Sequence, residues 1–185
     1  MAQGTALIQF YIGDGKGKTT AAIGLAVRAL GAGLRVALVQ FDKGEAADGP
    51  GYSERRVLEK LDGLTLIATG RDRRNPDGSF QCDNTDEDYR EARHGLDVVA
   101  RLLDNARHDL IVCDELLTCV TTGLVERRDV EAVLDRHGGR EAVELVMTGR
   151  CTDEALLARA DLVTEMRNVK HYYDSGTEAR RGYDY

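Results

Sequence analysis

The residues best equipped for chemistry are crowded into one short stretch, GDGKGKTT at 13–20. Glycines at 13, 15 and 17 let a backbone turn tightly enough for successive N–H groups to converge on an anion. An apolar run, ALIQFYI (6–12), precedes the stretch, and a helical pattern, TTAAIGLAVRALGAG (19–33), follows it. Strand, glycine-rich loop and helix in that order are the setting of a P-loop, where backbone amides and the positive end of a helix hold phosphate oxygens. A turn that needed glycine for geometry alone would not also carry Lys16, Lys18, Thr19 and Thr20. Lys18 is placed to reach phosphate oxygens, Thr19 offers a hydroxyl to Mg²⁺, and Thr20 supplies a second hydroxyl. Gly13, Asp14, Gly15, Lys16, Gly17, Lys18, Thr19 and Thr20 are therefore the candidate nucleotide-binding residues. The loop is atypical in one respect: three residues, not the usual four, separate Gly13 from Gly17-Lys18.

A second element fits the first. LIVCDE (110–115) is an apolar strand ending in Asp114-Glu115. Carboxylates at a strand tip beside a phosphate loop are placed to hold Mg²⁺ directly or through water. Glu115 is the candidate metal ligand together with Thr19, and Asp114 is the candidate for organising water or the cradle. Lys18, Thr19 and Glu115 form the candidate catalytic set.

These residues need a scaffold that brings several strand ends to one edge. Short β-branched runs at 6–12, 35–41, 64–70, 109–114, 142–149 and 161–166 alternate with helical patterns near 19–33, 53–61, 86–106, 127–137 and 153–160. Near-continuous apolar strands alternating with helices predict a mainly parallel sheet covered on both faces, a three-layer α/β P-loop NTPase fold of the RecA-like kind. With 185 residues and no internal boundary, a single domain over 1–185 is expected. Two polar stretches, 42–52 and 70–84, follow the second and third strands at the carboxyl ends, where parallel sheets place ligands.

Bulk properties narrow the function. A net charge of −7 argues against non-specific nucleic-acid binding, which needs a basic field. The start of the chain lacks a signal-peptide pattern and no run reaches membrane-span length, so a cytoplasmic location is expected. Cys82, Cys113, Cys119 and Cys151 form no C-x-x-C pair and read as buried or incidental thiols. His94, His108 and His137 read as surface residues, leaving His171 as the histidine in a dense polar context. A guanine-specificity motif of the Asn-Lys-x-Asp type is missing, which favours ATP. Only five of the 25 basic residues are lysines, so a lysine points to a place that wants a compact charge.

Taken together the motifs resemble, in order and over nearly the whole chain, those of the P-loop corrinoid adenosyltransferases. GDGKGKTTAAIGLAVRALG is similar to that family's G-N-G-K-G-K-T-T-A-A-F-G segment, short spacing included. VALVQFDKG (36–44), IATG (67–70), Asp114-Glu115 and TGR (148–150) fall at the expected places. Lys170-His171, Gly176, Ala179, Gly182 and Tyr185 resemble its K-H-x-x-x-x-G-x-x-A-x-x-G-x-x-Y ending. The resemblance implies ATP and Mg²⁺ (or Mn²⁺) as cofactors and cob(I)alamin or a related corrinoid as substrate. It implies attack of Co(I) on C5′ of ATP with loss of intact triphosphate, and ATP held reversed relative to ordinary P-loop NTPases. It further implies an electron donor such as a flavoprotein, a homodimer, a contact from Arg28 to the adenosine end, and a cofactor-binding role for Lys43. The family's Gly-Phe-x-Trp is here Gly70-Arg71-Asp72-Arg73, which leaves Phe80 or a tyrosine to pack beneath the corrin. A P-loop phosphotransferase or ATPase, and a nucleotide-gated corrinoid carrier, are the alternative readings.

Overall fold

A computed structural model describes residues 6–44, 51–73, 81, 83–138 and 143–184. Six strands form one all-parallel sheet: β1 (Ile8–Ile12), β2 (Val36–Gln40), β3 (Leu64–Ala68), β4 (Leu110–Asp114), β5 (Glu144–Thr148) and β6 (Leu162–Glu165). Their order across the sheet is β3-β2-β4-β5-β1-β6. One strand, β5, therefore separates the strand feeding the glycine loop from the strand ending in Asp114. All carboxyl ends lie along one edge because every pairing is parallel, and the candidate residues collect there.

Strand alternation divides the core in two. Val36, Leu38, Leu110, Val112 and Val146 face one layer, where they meet Ala22, Ala26 and Ala29 of α1 (Lys18–Gly31) and Leu58 of α2 (Arg55–Leu58). Three small residues on one stripe of α1 let that helix lie close to the sheet. Ala37, Val39, Ile111, Cys113, Leu145 and Met147 face the other layer. There they pack on α3 (Asp86–Asn105), α4 (Leu116–Thr121), α5 (Arg127–His137) and Leu156 of α6 (Glu154–Leu157). The strands are buried on both faces, as their unbroken apolar runs require.

Helix ends follow local chemistry. Thr85 caps α3 in a capping box with Asp88, and Ala106 closes it in the left-handed region. Glu126 and Asp129 form a second box at the start of α5. Three sequence expectations change in detail. The helix expected over 53–61 is a single turn, Arg55–Leu58, and the one over 153–160 is Glu154–Leu157. A short helix that the sequence reading did not mark, α4, begins directly after Glu115. His137, expected at the surface, is 3% exposed, with Nε2 at 2.7 Å from Val143 O. It ends the apolar stripe of α5 and a backbone carbonyl satisfies it. Cys113, Cys119 and Cys151 are buried free thiols as expected, and burial pushes each above the usual thiol value. Cys82, Tyr185 and the stretches 45–50 and 74–80, Phe80 included, lie outside the described residues.

Gly95 on α3 lies against the Phe41 ring just beyond β2: a Cβ there would lie 2.5 Å from Phe41 Cε1. Gly95→Ala should therefore destabilise the fold by about 1–2 kcal/mol, overpacking exceeding the helix-propensity gain. Thermal melting by circular dichroism measures it.

Candidate nucleotide site

The glycine loop leaves β1 and rests against the chain beyond β6. Gly13 has φ 110°, and a Cβ on it would fall 2.2 Å from Met166 O; a Cβ on Gly15 would be 2.7 Å from Arg167 C. No other residue fits at either point. The Gly15 amide donates to Met166 O at 2.7 Å, so this amide is turned outward and the cradle is built from the others. Asp14 accepts from the Asn168 amide at 3.0 Å, a second tie between loop and tail. Gly17, at φ 123°, precedes α1 with no side-chain cap, and the first-turn amides have no partners within the helix. That end of α1 is an anion site by construction.

Lys18 closes over the loop. Its Nζ donates to Gly13 O and Gly15 O, each at 2.8 Å. Burial lowers its pKa from the ordinary lysine value, with Glu115 pulling in the opposite direction. The fields of Lys43 and Arg150 also reach it, so several cations surround one anion-binding loop. Thr20 is exposed on the first turn.

Asp114 organises the neighbouring corner. It is completely buried, and its Oδ1 accepts from Thr19 Oγ1 at 2.9 Å and from Thr148 Oγ1 at 2.7 Å. Its Oδ2 accepts from Lys43 Nζ at 2.6 Å and, more weakly, from Gln40 Nε2 at 3.4 Å. Lys43 Nζ also donates to Thr19 Oγ1 at 3.0 Å. Burial alone would lower the Lys43 pKa; Asp114 and Glu115 outweigh it and raise it. Behind this group Arg55 is 7% exposed and donates to Gln40 Oε1 at 2.7 Å and to the Lys43 carbonyl. Tyr52 lies against both cations, 5.3 Å from Lys43 Nζ and 5.0 Å from Arg55.

Glu115 adopts φ 63°, a left-handed conformation that strains a non-glycine residue by about 1 kcal/mol. Its amide donates to Thr148 Oγ1 at 2.9 Å, and its Oε2 accepts from Thr118 Oγ1 at 2.5 Å. Gly149 makes room for this turn, since a Cβ there would lie 2.3 Å from the Thr118 amide. Thr19 and Glu115 are hard oxygen donors beside a phosphate loop, a set that suits Mg²⁺. Among the described residues no cluster of three or more His, Cys, Asp or Glu is placed to hold a metal.

The structure brings Gly13 to Thr20, Lys43, Asp114 and Glu115 to one corner but not Arg28. That residue is exposed on the last turn of α1, roughly 15 Å along the helix from Lys18. Four participants escaped sequence reading as site residues: Gln40, Arg55, Thr148 and Arg150. Only the TGR triplet hinted at the last two. The C-terminal tail is another addition. Lys16 Nζ donates to Tyr183 O at 2.5 Å and to Asp184. Asp184 also accepts from Tyr172 OH and from the Arg180 amide at 2.8 Å, and these partners hold its carboxyl far below the usual range.

At the positions where this chain departs from the family's aromatic pair, Arg71 and Arg73 turn inward. Arg71 Nε meets Asp88 Oδ1 at 2.9 Å and Arg73 Nε meets Asp42 Oδ1 at 2.6 Å. Arg71 ties the chain after β3 to the start of α3, and Arg73 ties it to the turn after β2. Burial works against ionisation of Asp88, but the Thr85 amide and Arg71 outweigh it and hold the carboxyl below its ordinary 3.8. Its contribution to stability is complete above that value and is lost as pH falls through the lower folded value. Asp88→Asn should cost about 1–2 kcal/mol at neutral pH, and stability should then fall less steeply on acidification. Urea melts at neutral pH and near pH 3 would show both.

Fold and corner together define a P-loop nucleotide-binding protein with the strand order of the RecA-like group, a class that hosts many reactions. A family model for ATP:corrinoid adenosyltransferase BtuR/CobO/CobP matches residues 4–185. The corrinoid adenosyltransferase of Escherichia coli K12 is 34% identical over 97% of this chain and 85% of its own length. Corrinoid adenosyltransferase CobA of Salmonella typhimurium LT2 shows the same identity and coverage. A corrinoid adenosyltransferase of Pseudomonas aeruginosa PAO1 is 32% identical over 95% of this chain and 81% of its own. The chain belongs to the ATP:corrinoid adenosyltransferase family. It is a transferase whose substrates are ATP and a corrinoid.

Proposed function

We propose that the protein moves the 5′-deoxyadenosyl group of ATP onto the cobalt of a reduced corrinoid. The Co(I) electron pair forms a bond to C5′, the C5′–O bond breaks, and triphosphate leaves with that bond's electrons. Cobalt is formally oxidised by two electrons, and no proton needs to be removed. The protein's tasks are to hold C5′ in line with cobalt and to stabilise the charge on the leaving triphosphate. The observation that supports this reading is the set of lysines gathered at the glycine loop: Lys18 folded onto Gly13 O and Gly15 O, Lys43 on Thr19 Oγ1, and Lys16 on the loop's crest. Lys18 exchanges the Gly13 and Gly15 carbonyls for phosphate oxygens as ATP enters. Thr19 and Glu115 would hold Mg²⁺, with Asp114 fixing the Thr19 hydroxyl; the ion would add positive charge at the triphosphate.

The proposal extends to Arg28 as the contact for the adenosine end, with Asp14 bracing the loop as well as lining it. It also includes a homodimer, a single domain, an electron donor such as a flavoprotein, and a cytoplasmic location. Family resemblance supports these. Among the described residues no helix is long and apolar enough to cross a membrane.

Displacement at C5′ leaves the β–γ linkage untouched, so the β,γ-imido analogue of ATP should act as a donor. Incubated anaerobically with cob(I)alamin it should give the alkylcorrinoid spectrum and free imidotriphosphate. Inertness of the analogue, together with ADP formation from ATP, would contradict the reading.

A further inference from the structure

We propose that Lys43 is a resident cation that a divalent metal must displace. Its ammonium stands between Thr19 Oγ1 at 3.0 Å and Asp114 Oδ2 at 2.6 Å. In P-loop NTPases magnesium is held by the loop Ser/Thr and by the acidic residue at the tip of the neighbouring strand. Here those two side chains already share a positive charge supplied by the chain itself. Asp114 has no vacant side: Thr19 and Thr148 occupy Oδ1, while Lys43 and Gln40 approach Oδ2. A metal held by Thr19 and Glu115 would sit against the ammonium that already donates to the same Thr19 oxygen, and the two cations would repel at short range.

The surroundings allow the side chain to move while the backbone stays. The Lys43 carbonyl accepts from Arg55, and its amide donates to Thr69 O at 2.9 Å. Arg55 is fixed in turn by Gln40 Oε1 at 2.7 Å. The face of Tyr52, 5.3 Å from Nζ, offers the ammonium a second resting place. Incoming phosphate offers a third. In the nucleotide-free protein the Thr19–Asp114 pair is thus already neutralised and has little affinity for metal alone. A triphosphate gives the displaced ammonium a new anionic partner and brings further oxygen ligands for the metal, so the metal enters with ATP. This inference deepens the proposed function by describing how the site is loaded. It rests on the cradle being a metal–ATP site, not on the corrinoid step.

Mn²⁺ titration of the nucleotide-free protein, followed by electron paramagnetic resonance, tests it. Wild type should bind weakly, Lys43→Met at least tenfold more tightly, and Lys43→Met/Asp114→Asn no better than wild type. Mn²⁺ should also raise the melting temperature of Lys43→Met more than that of wild type. Equal Mn²⁺ affinity in wild type and folded Lys43→Met would overturn the proposal. If Lys43→Met does not fold, the side-chain ammonium signal of Lys43 can be followed by NMR in wild type bound to the β,γ-imido analogue. Its hydrogen exchange with water should accelerate several-fold on adding Mg²⁺, and unchanged exchange would overturn the proposal. Failure of adenosyl transfer with these binding results intact would remove the corrinoid reading and leave this one standing.

Discussion

Replacing Lys18 by alanine should lower kcat/KM for ATP by about 10²–10³, the loss expected when one preorganised charge is withdrawn from developing negative charge. Lys18 sits at the first position of α1 with Nζ on Gly13 O and Gly15 O, already aimed into the loop. In the proposed mechanism its hold on the triphosphate strengthens as charge develops when the C5′–O bond breaks, so its effect falls on the transition state more than on ground-state binding. Most of the loss should therefore appear in kcat, with KM changing less. The fold should survive, because α1 is anchored by Ala22, Ala26 and Ala29 rather than by this side chain. Steady-state kinetics with cob(I)alamin in excess would measure the split. A variant within tenfold of wild type would remove Lys18 from the mechanism.

Asp114→Asn carries the largest expected cost in stability. The carboxylate is fully buried and neutralises a Lys43 ammonium that is itself only 9% exposed. Removing one member of a buried ion pair leaves the other uncompensated and costs about 3–5 kcal/mol. For a chain of this size that lowers the melting temperature by about 10 °C. An asparagine also brings an NH₂ group to a place where Thr19, Thr148 and Lys43 all donate. Activity should fall below detection because Thr19 and Lys43 lose their common anchor. Calorimetry on the two proteins decides the matter: a loss under 1 kcal/mol would mean that the pair contributes little.

How much of this was legible in the sequence depended on distance along the chain. The cradle was readable because its parts are neighbours: Gly13 to Thr20 form one turn, and their residue types suit only a few tasks. The sheet was readable because strands buried on both faces leave unbroken apolar runs. Lys43 could be named from its motif, but not its position between Thr19 and Asp114, which lie 24 and 71 residues away. Arg55 looks like surface charge until α2 turns it beneath β2. The tail looked like a functional segment, yet its seat on Lys16 joins residues 168 positions apart. His137 was misplaced for a related reason, since a helix-end histidine reads as exposed until the strand beyond it supplies a carbonyl. The inward Arg71 and Arg73 were legible only as a departure from the family's aromatic pair.

The most direct test of the central claim is an anaerobic single-turnover experiment with chemically reduced cob(I)alamin, ATP and Mg²⁺. The corrinoid spectrum is followed while triphosphate and ADP are quantified. The account predicts a cobalt–carbon product with one triphosphate released per corrinoid and no ADP. ADP accumulating beside an unchanged corrinoid would contradict it.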